Sequence, residues 1–214
     1  MILIAVALFG ALSYAVAQML RGGPTDIGNE TGELRAGEII EYGRKMREAV
    51  QGVRISNDCK DTEISFENSV VAGYNYATPD ACKIFHPDGG AMTWVAPAPN
   101  VNDGSEWVFT GAVNVKEVGD DATDELIVLL PGLTETACLA INDSLGLGLT
   151  SIPIDSGDYD EVKFTGGYAN GDTISGGIGA ATCPAHVLCG KPVGCFQEET
   201  DGQRYIFYQS LIVR

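Results

Sequence analysis

The first twenty residues, MILIAVALFGALSYAVAQML, carry no charge, and only Ser13, Tyr14 and Gln18 interrupt their apolar character. As a helix rising about 1.5 Å per residue, this segment would reach roughly 30 Å, the thickness of a bilayer's hydrocarbon core. After Arg21 the pattern breaks at Gly22-Gly23-Pro24 and resumes in another form over TDIGNETGELRAGEIIEYGRKMREAVQGVRIS. There Leu34, Ile39, Ile40, Met46, Val50 and Val53 make an imperfect apolar stripe at helical spacing, with Thr25 or Asp26 as the expected N-cap. Gly28, Gly32, Gly37, Gly43 and Gly52 each weaken such a helix by up to about 1 kcal/mol relative to alanine. Its stability is therefore expected to come from packing.

Beyond Asp58 the helical period stops, and short β-prone runs alternate with Gly, Asn, Asp and Pro clusters. Strands are expected at Glu63–Phe66, Ser69–Val71, Lys83–Phe85, Met92–Val95, Trp107–Thr110, Leu126–Leu130 and Tyr205–Val213. One short helix is expected from Thr134 to Leu145, with Thr134 as N-cap and apolar residues at Ala137, Leu139, Ile141 and Leu145. The last run, YIFYQSLIVR, is apolar on both faces and suits a central strand better than an edge. The pattern thus divides the chain into an N-terminal helical part, 1–55, and a β-rich globular part, 56–214. The 214 residues, 45% apolar, suffice for one such globular domain with an appendage.

Charge narrows the partners. Thirteen basic against 29 acidic residues give a net charge of −16, which repels phosphate backbones, so no nucleic-acid partner is expected. All six cysteines lie beyond residue 58, and disulfides in an oxidising compartment are the expected reading, with a zinc site through Cys183, His186 and Cys189 as its competitor. Proximity in sequence pairs Cys59 with Cys82 and Cys183 with Cys189, leaving Cys138 with Cys195, one of many possible pairings. The glycine-rich stretch from Gly166 to Gly194 buries little and needs such staples.

Three readings of the apolar start compete: a cleaved secretory signal ending near Ala15-Val16-Ala17, a simple membrane anchor, and a segment that polymerises. No Lys or Arg precedes the apolar run, which weighs against the first. An uncharged helix, a glycine–proline break, an amphipathic continuation and a disulfide-bearing β domain together resemble the type IV pilins and the pseudopilins of type II secretion. The resemblance implies an α+β, pilin-like fold: a long N-terminal hydrophobic helix followed by a mainly antiparallel β domain. It further implies cleavage of a leader before Met1, methylation of Met1, and local melting at Gly22, Gly23 and Pro24 on assembly. The filament core would then be built from Ile2, Leu3, Ile4, Ala5, Val6, Leu8, Phe9 and Leu12, with Ala5, Gly10, Ala11 and Ala15 permitting close approach. At the fifth position, where most major pilins carry a glutamate that can pair with the neighbouring subunit's terminal amine, this chain has Ala5. That departure leaves room for a minor pseudopilin, an archaeal-like pilin or an unrelated anchored protein.

The partners implied are further copies of the chain in a helical homopolymer and the assembly machinery of the inner membrane. The subunit would sit in that membrane first and in an extracellular filament afterwards. Chemistry adds little to this picture. His86 and His186 are the only imidazoles, and no GxSxG, HExxH, GxxxxGK[ST] or CxxCH motif occurs. No catalytic residues and no cofactor are expected. Two weak calcium candidates remain, one at Asn100, Asn102, Asp103, Ser105 and Glu106 and the other at Asp155, Asp158, Asp160 and Glu161, although neither has helix-loop-helix spacing. Asn29 and Asn142 stand in glycosylation acceptor triplets.

Overall fold

The computed structural model describes residues 24–120, 123–157, 159, 162–169, 171–174, 187–200 and 204–214. Helix α1 runs Pro24–Ser56 and helix α2 runs Glu135–Ser144. Six strands follow one another as β1 (Val108–Val115), β2 (Glu125–Leu133), β3 (Ile154–Asp155), β4 (Asp172–Ile174), β5 (Val193–Glu198) and β6 (Tyr205–Ile212). They form one sheet in the order β3-β5-β6-β2-β1-β4.

This sheet corrects the expected pilin-like, mainly antiparallel fold. The inner pairs β5–β6, β6–β2 and β2–β1 are antiparallel, but both edges, β3–β5 and β1–β4, are parallel, so the sheet is mixed. The apolar runs that predict strands carry no information on direction, and here long connections return short strands to both edges. The hydrophobic helix expected over residues 1–20 lies outside the described residues. No described helix is long and apolar enough to cross a membrane.

Alternation along the strands sorts the core onto two faces. Leu126, Val128 and Leu130 of β2, Phe109 of β1, Cys195 of β5 and Phe207 and Leu211 of β6 face the helices. Ile127, Leu129, Val108, Phe196, Ile206 and Tyr208 face the opposite side, where Val118, Tyr159 and Leu188 cover them. A bulge in β1 between Thr110 and Val113 reverses the parity, so Val113 and Val115 join the side opposite Phe109. β2 and β6 are buried on both sides, which is what their unbroken apolar runs require.

α1 opens at Pro24, a residue suited to the first helical position because its missing N–H would have no partner there. Thr25 and Asp26 therefore lie within the helix and not at the N-cap position expected for them. The buried stripe is Ala36, Ile39, Tyr42, Met46, Val50 and Val53, whereas Leu34, expected on it, is 72% exposed. A Cβ on Gly43 would stand 3.1 and 3.2 Å from the Phe207 ring and 2.6 Å from Gln209 Oε1, while one on Gly37 or Gly52 would meet nothing within 4 Å. Gly43 thus lets α1 approach β6, and the other two weaken the helix without compensation. Gly37→Ala and Gly52→Ala are each expected to raise unfolding free energy by about 0.5–1 kcal/mol, and Gly43→Ala to lower it, in urea titrations. Equal stabilisation by all three would contradict the seating of α1 on β6.

α2 forms where expected, with the Thr134 hydroxyl accepting from the Ala137 N–H (3.3 Å). The runs Glu63–Phe66, Ser69–Val71, Lys83–Phe85 and Met92–Val95 are not strands. Asp61–Glu63 and Asp80–Cys82 are single 3-10 turns, and Ser65 makes only an isolated parallel bridge with Lys83. Their apolar residues enter the core singly: Phe66 stacks on Phe109 with centroids 4.0 Å apart, and Tyr74, Phe85 and Trp94 meet Phe109 edge-on or tilted within 6.3 Å. Aromatic anchoring replaces a ladder across this segment.

Candidate functional site

An apolar surface concavity runs beside the first half of the packed part of α1. Ile39 and Tyr42 form one wall, and Trp107 and the extended segment 95–99, VAPAP, form the other. Pro97 and Pro99 remove two backbone donors and hold that segment extended. Tyr42 fixes the segment to the helix. The Val95 N–H donates to its hydroxyl (3.2 Å), which donates in turn to the Thr93 carbonyl (3.4 Å), and the Trp107 indole N–H donates to the Val95 carbonyl (3.0 Å). The Tyr42 and Trp107 rings lie 4.8 Å apart. Burial pushes the Tyr42 hydroxyl up to about 12, against the Val95 hydrogen bond and helped by nearby Glu106, so it remains a donor through neutral pH. Arg35, Glu38, Glu41 and Lys45 rim the groove with both signs of charge. The trough is therefore amphipathic, with apolar walls and a rim of mixed charge.

Tyr42→Phe removes both hydroxyl contacts and keeps the ring. We expect a loss of about 1 kcal/mol in thermal or urea unfolding, with faster amide exchange at Val95. An unchanged Val95 exchange rate would show that the segment is held by its apolar residues alone.

Two expected disulfides are present, Cys59–Cys82 and Cys138–Cys195. Cys189 is also disulfide-bonded, while Cys183 and His186 lie outside the described residues. The first pairing ties the end of α1 to the turn at Asp80–Cys82. The second ties α2 to β5, beside Asn142, whose amide donates to the Cys195 carbonyl (2.8 Å) and whose carbonyl accepts from the Cys195 N–H (2.9 Å). Asn142 is fully buried and so is a bridge, not a glycan acceptor.

The described oxygens of the first calcium candidate are engaged within its own turns. Asn102 Oδ1 accepts from the Gly104 N–H, and Asp103 Oδ1 accepts from both the N–H and the hydroxyl of Ser105, so these oxygens close their own turns. The Ser105 hydroxyl bond holds the Asp103 carboxyl below the usual range despite its slight burial. Asp155 is buried and accepts from the Gly157 N–H and the Tyr159 hydroxyl, whereas Asp158, Asp160 and Glu161 lie outside the described residues. Among the described residues, no group of three or more His, Cys, Asp or Glu is placed to hold a metal ion. His86 is flanked at the surface by Asp80 and Asp88 at 3.8 and 3.9 Å.

Met1, the core residues Ile2, Leu3, Ile4, Ala5, Val6, Leu8, Phe9 and Leu12, and Gly22 and Gly23 of the break all lie outside the described residues. Pro24 begins α1. Tyr42 and Trp107 were not read as site residues: Trp107 follows the proline-rich run 95–99, but Tyr42 is far from it in sequence and no local pattern joins them. Nor were Tyr168 and Arg214, which no local pattern marks. The chain matches no family model, no curated protein and no solved structure.

Proposed function

We propose that the chain is a structural subunit of an extracellular, type IV pilus-like filament that assembles through its N-terminal residues. The observation that carries this reading is the continuity between the uncharged segment and a helix anchored in the globular domain. Residues 1–20 precede α1 by only Arg21, Gly22 and Gly23, and α1 is bound to the sheet along the stripe from Ala36 to Val53. A pull or packing force on the apolar segment is thereby delivered to the whole domain, a geometry suited to load-bearing assembly. The disulfides support an oxidising destination outside the cytoplasm, and the acidic surface suits exposure on a filament wall.

A single charge in a segment that must pack against lipid and then against its copies costs several kcal/mol. Leu8→Asp is therefore expected to abolish surface filaments while the globular domain, followed by its disulfides and Trp fluorescence, stays folded. Undiminished filaments in that variant would remove the proposal. The second reading is a membrane-anchored module that binds an apolar ligand in the groove between Tyr42 and Pro97, which the apolar lining there favours. In that case Leu8→Asp would release the chain from the membrane, and wild-type cells would carry no filament containing it.

A further inference from the structure

A second concavity lies at the other end of α1, and its chemistry is the reverse of the protein's average. Its walls carry Arg54 from the last turn of α1, Lys60, Arg214 and Tyr168, with Asp61 as the one acidic residue on the lining, while Lys60 Nζ also lies 3.9 Å from Glu63 Oε1. A lining with more cations than carboxylates stands out in a chain of net charge −16. Asp61 occupies Arg54 through Nε (2.8 Å), and Arg54 Nη1 donates to Gln51 Oε1 (3.2 Å), an arrangement that fixes the plane of the guanidinium. Arg214 stands over the Tyr168 ring, its Cζ 4.0 Å from the centroid, and its guanidinium makes a long hydrogen bond from Nη1 to the Asp124 carbonyl (3.5 Å). Both guanidiniums therefore keep N–H groups uncommitted.

On the same pocket, the Tyr168 hydroxyl is buried yet has no hydrogen-bond partner. Its proton is held firmly: burial, then the field of Asp61, pushes the phenol up to about 12 against the opposing pull of Arg214 and Arg54. A buried hydroxyl left without a partner is destabilising elsewhere in proteins. Here it belongs to a ring that lines the same pocket as the cations. Two forked guanidiniums and a phenol O–H match the lone pairs of a planar oxyanion. They offer nothing to a cation and little to an apolar group.

We propose that this pocket binds a carboxylate, held by Arg54 and Arg214 with the Tyr168 hydroxyl as the third donor. The carboxylate could come from an acidic side chain of a second copy or from a free small acid, and the recognition chemistry is the same. The inference does not depend on filament formation.

The test uses the full chain, 15N-labelled and dispersed in detergent micelles, titrated with sodium acetate against sodium chloride at constant ionic strength. The Nε–Hε resonances of Arg54 and Arg214 are expected to shift with acetate and saturate with a Kd of about 10 mM, the range for one small charged ligand. Tyr168→Phe is expected to weaken this binding about threefold and Arg214→Gln about fivefold or more, with the remaining amide spectrum unchanged. Should Arg214→Gln disturb the fold, Tyr168→Phe alone decides. If the same resonances move with protein concentration before acetate is added, and acetate reverses the movement, the natural carboxylate belongs to a second copy. If they respond to acetate only, a free acid is the ligand. Shifts that never saturate, equal those given by chloride, or persist unweakened in Tyr168→Phe would overturn the proposal.

Discussion

Replacing Cys138 and Cys195 together by alanine is expected to lower the free energy of unfolding by about 4 kcal/mol. The two cysteines are 57 residues apart in sequence, and closing a loop of that length in the unfolded chain removes roughly this much entropy. Both sulfurs are buried where α2 crosses β5, and the Asn142 side chain bonds the Cys195 backbone in both directions beside them. The native contact therefore persists without the covalent bond, and the loss should appear as a shift of the urea midpoint with a somewhat steeper slope, because the uncrosslinked unfolded chain exposes more surface. Removing Cys59–Cys82, which spans 23 residues, is expected to cost slightly less, about 3 kcal/mol. A loss below about 1 kcal/mol for the longer bridge would mean that the unfolded ensemble is already restrained there.

Phe109→Ala is expected to cost about 4 kcal/mol, at the upper end for a buried aromatic. Phe109 is fully buried on the helix side of β1, stacked at 4.0 Å on Phe66 and met by Tyr74, Phe85 and Trp94. The segment from Asp61 to Val95 has no ladder of its own, so these ring contacts are what join it to the sheet. The Tyr74 hydroxyl accepts from the Phe109 N–H (3.0 Å), and the Phe109 carbonyl accepts from the Phe164 N–H (2.8 Å). Hydrogen exchange should therefore rise across residues 61–95 more than in β2 or β6. Uniform loss of protection over the whole domain would show that this segment and the sheet unfold as a single unit.

Much of the element plan was legible where periodicity ran long enough. The stripe through Ile39, Met46, Val50 and Val53 identified α1, and the cap at Thr134 with Ala137 and Ile141 identified α2. The unbroken apolar runs Leu126–Leu130 and Tyr205–Val213 marked two strands, and the second read as central because only a strand buried on both faces tolerates such a run. The short runs around Ile64, Ile84 and Trp94 misled because three or four β-prone residues read the same whether they pair in a ladder or simply plug a core. Strand direction was illegible: nothing in Ile154–Asp155 or Asp172–Ile174 specifies the parallel pairings that make the sheet mixed. Leu34 read as core because spacing alone cannot say where a helix leaves its domain. The cation pocket was invisible for a related reason, since Arg54, Tyr168 and Arg214 are far apart in sequence and meet only through the packing of α1 against the end of β6.

The proposed polymerisation through the N-terminal residues is tested most directly by shearing surface filaments from cells, examining them by electron microscopy and sequencing their N-terminal peptides by mass spectrometry. Helical fibres that contain this chain, with a methylated Met1 as their first residue, are expected. Recovery of the chain only from the membrane fraction, as an unmethylated monomer, would contradict the proposal.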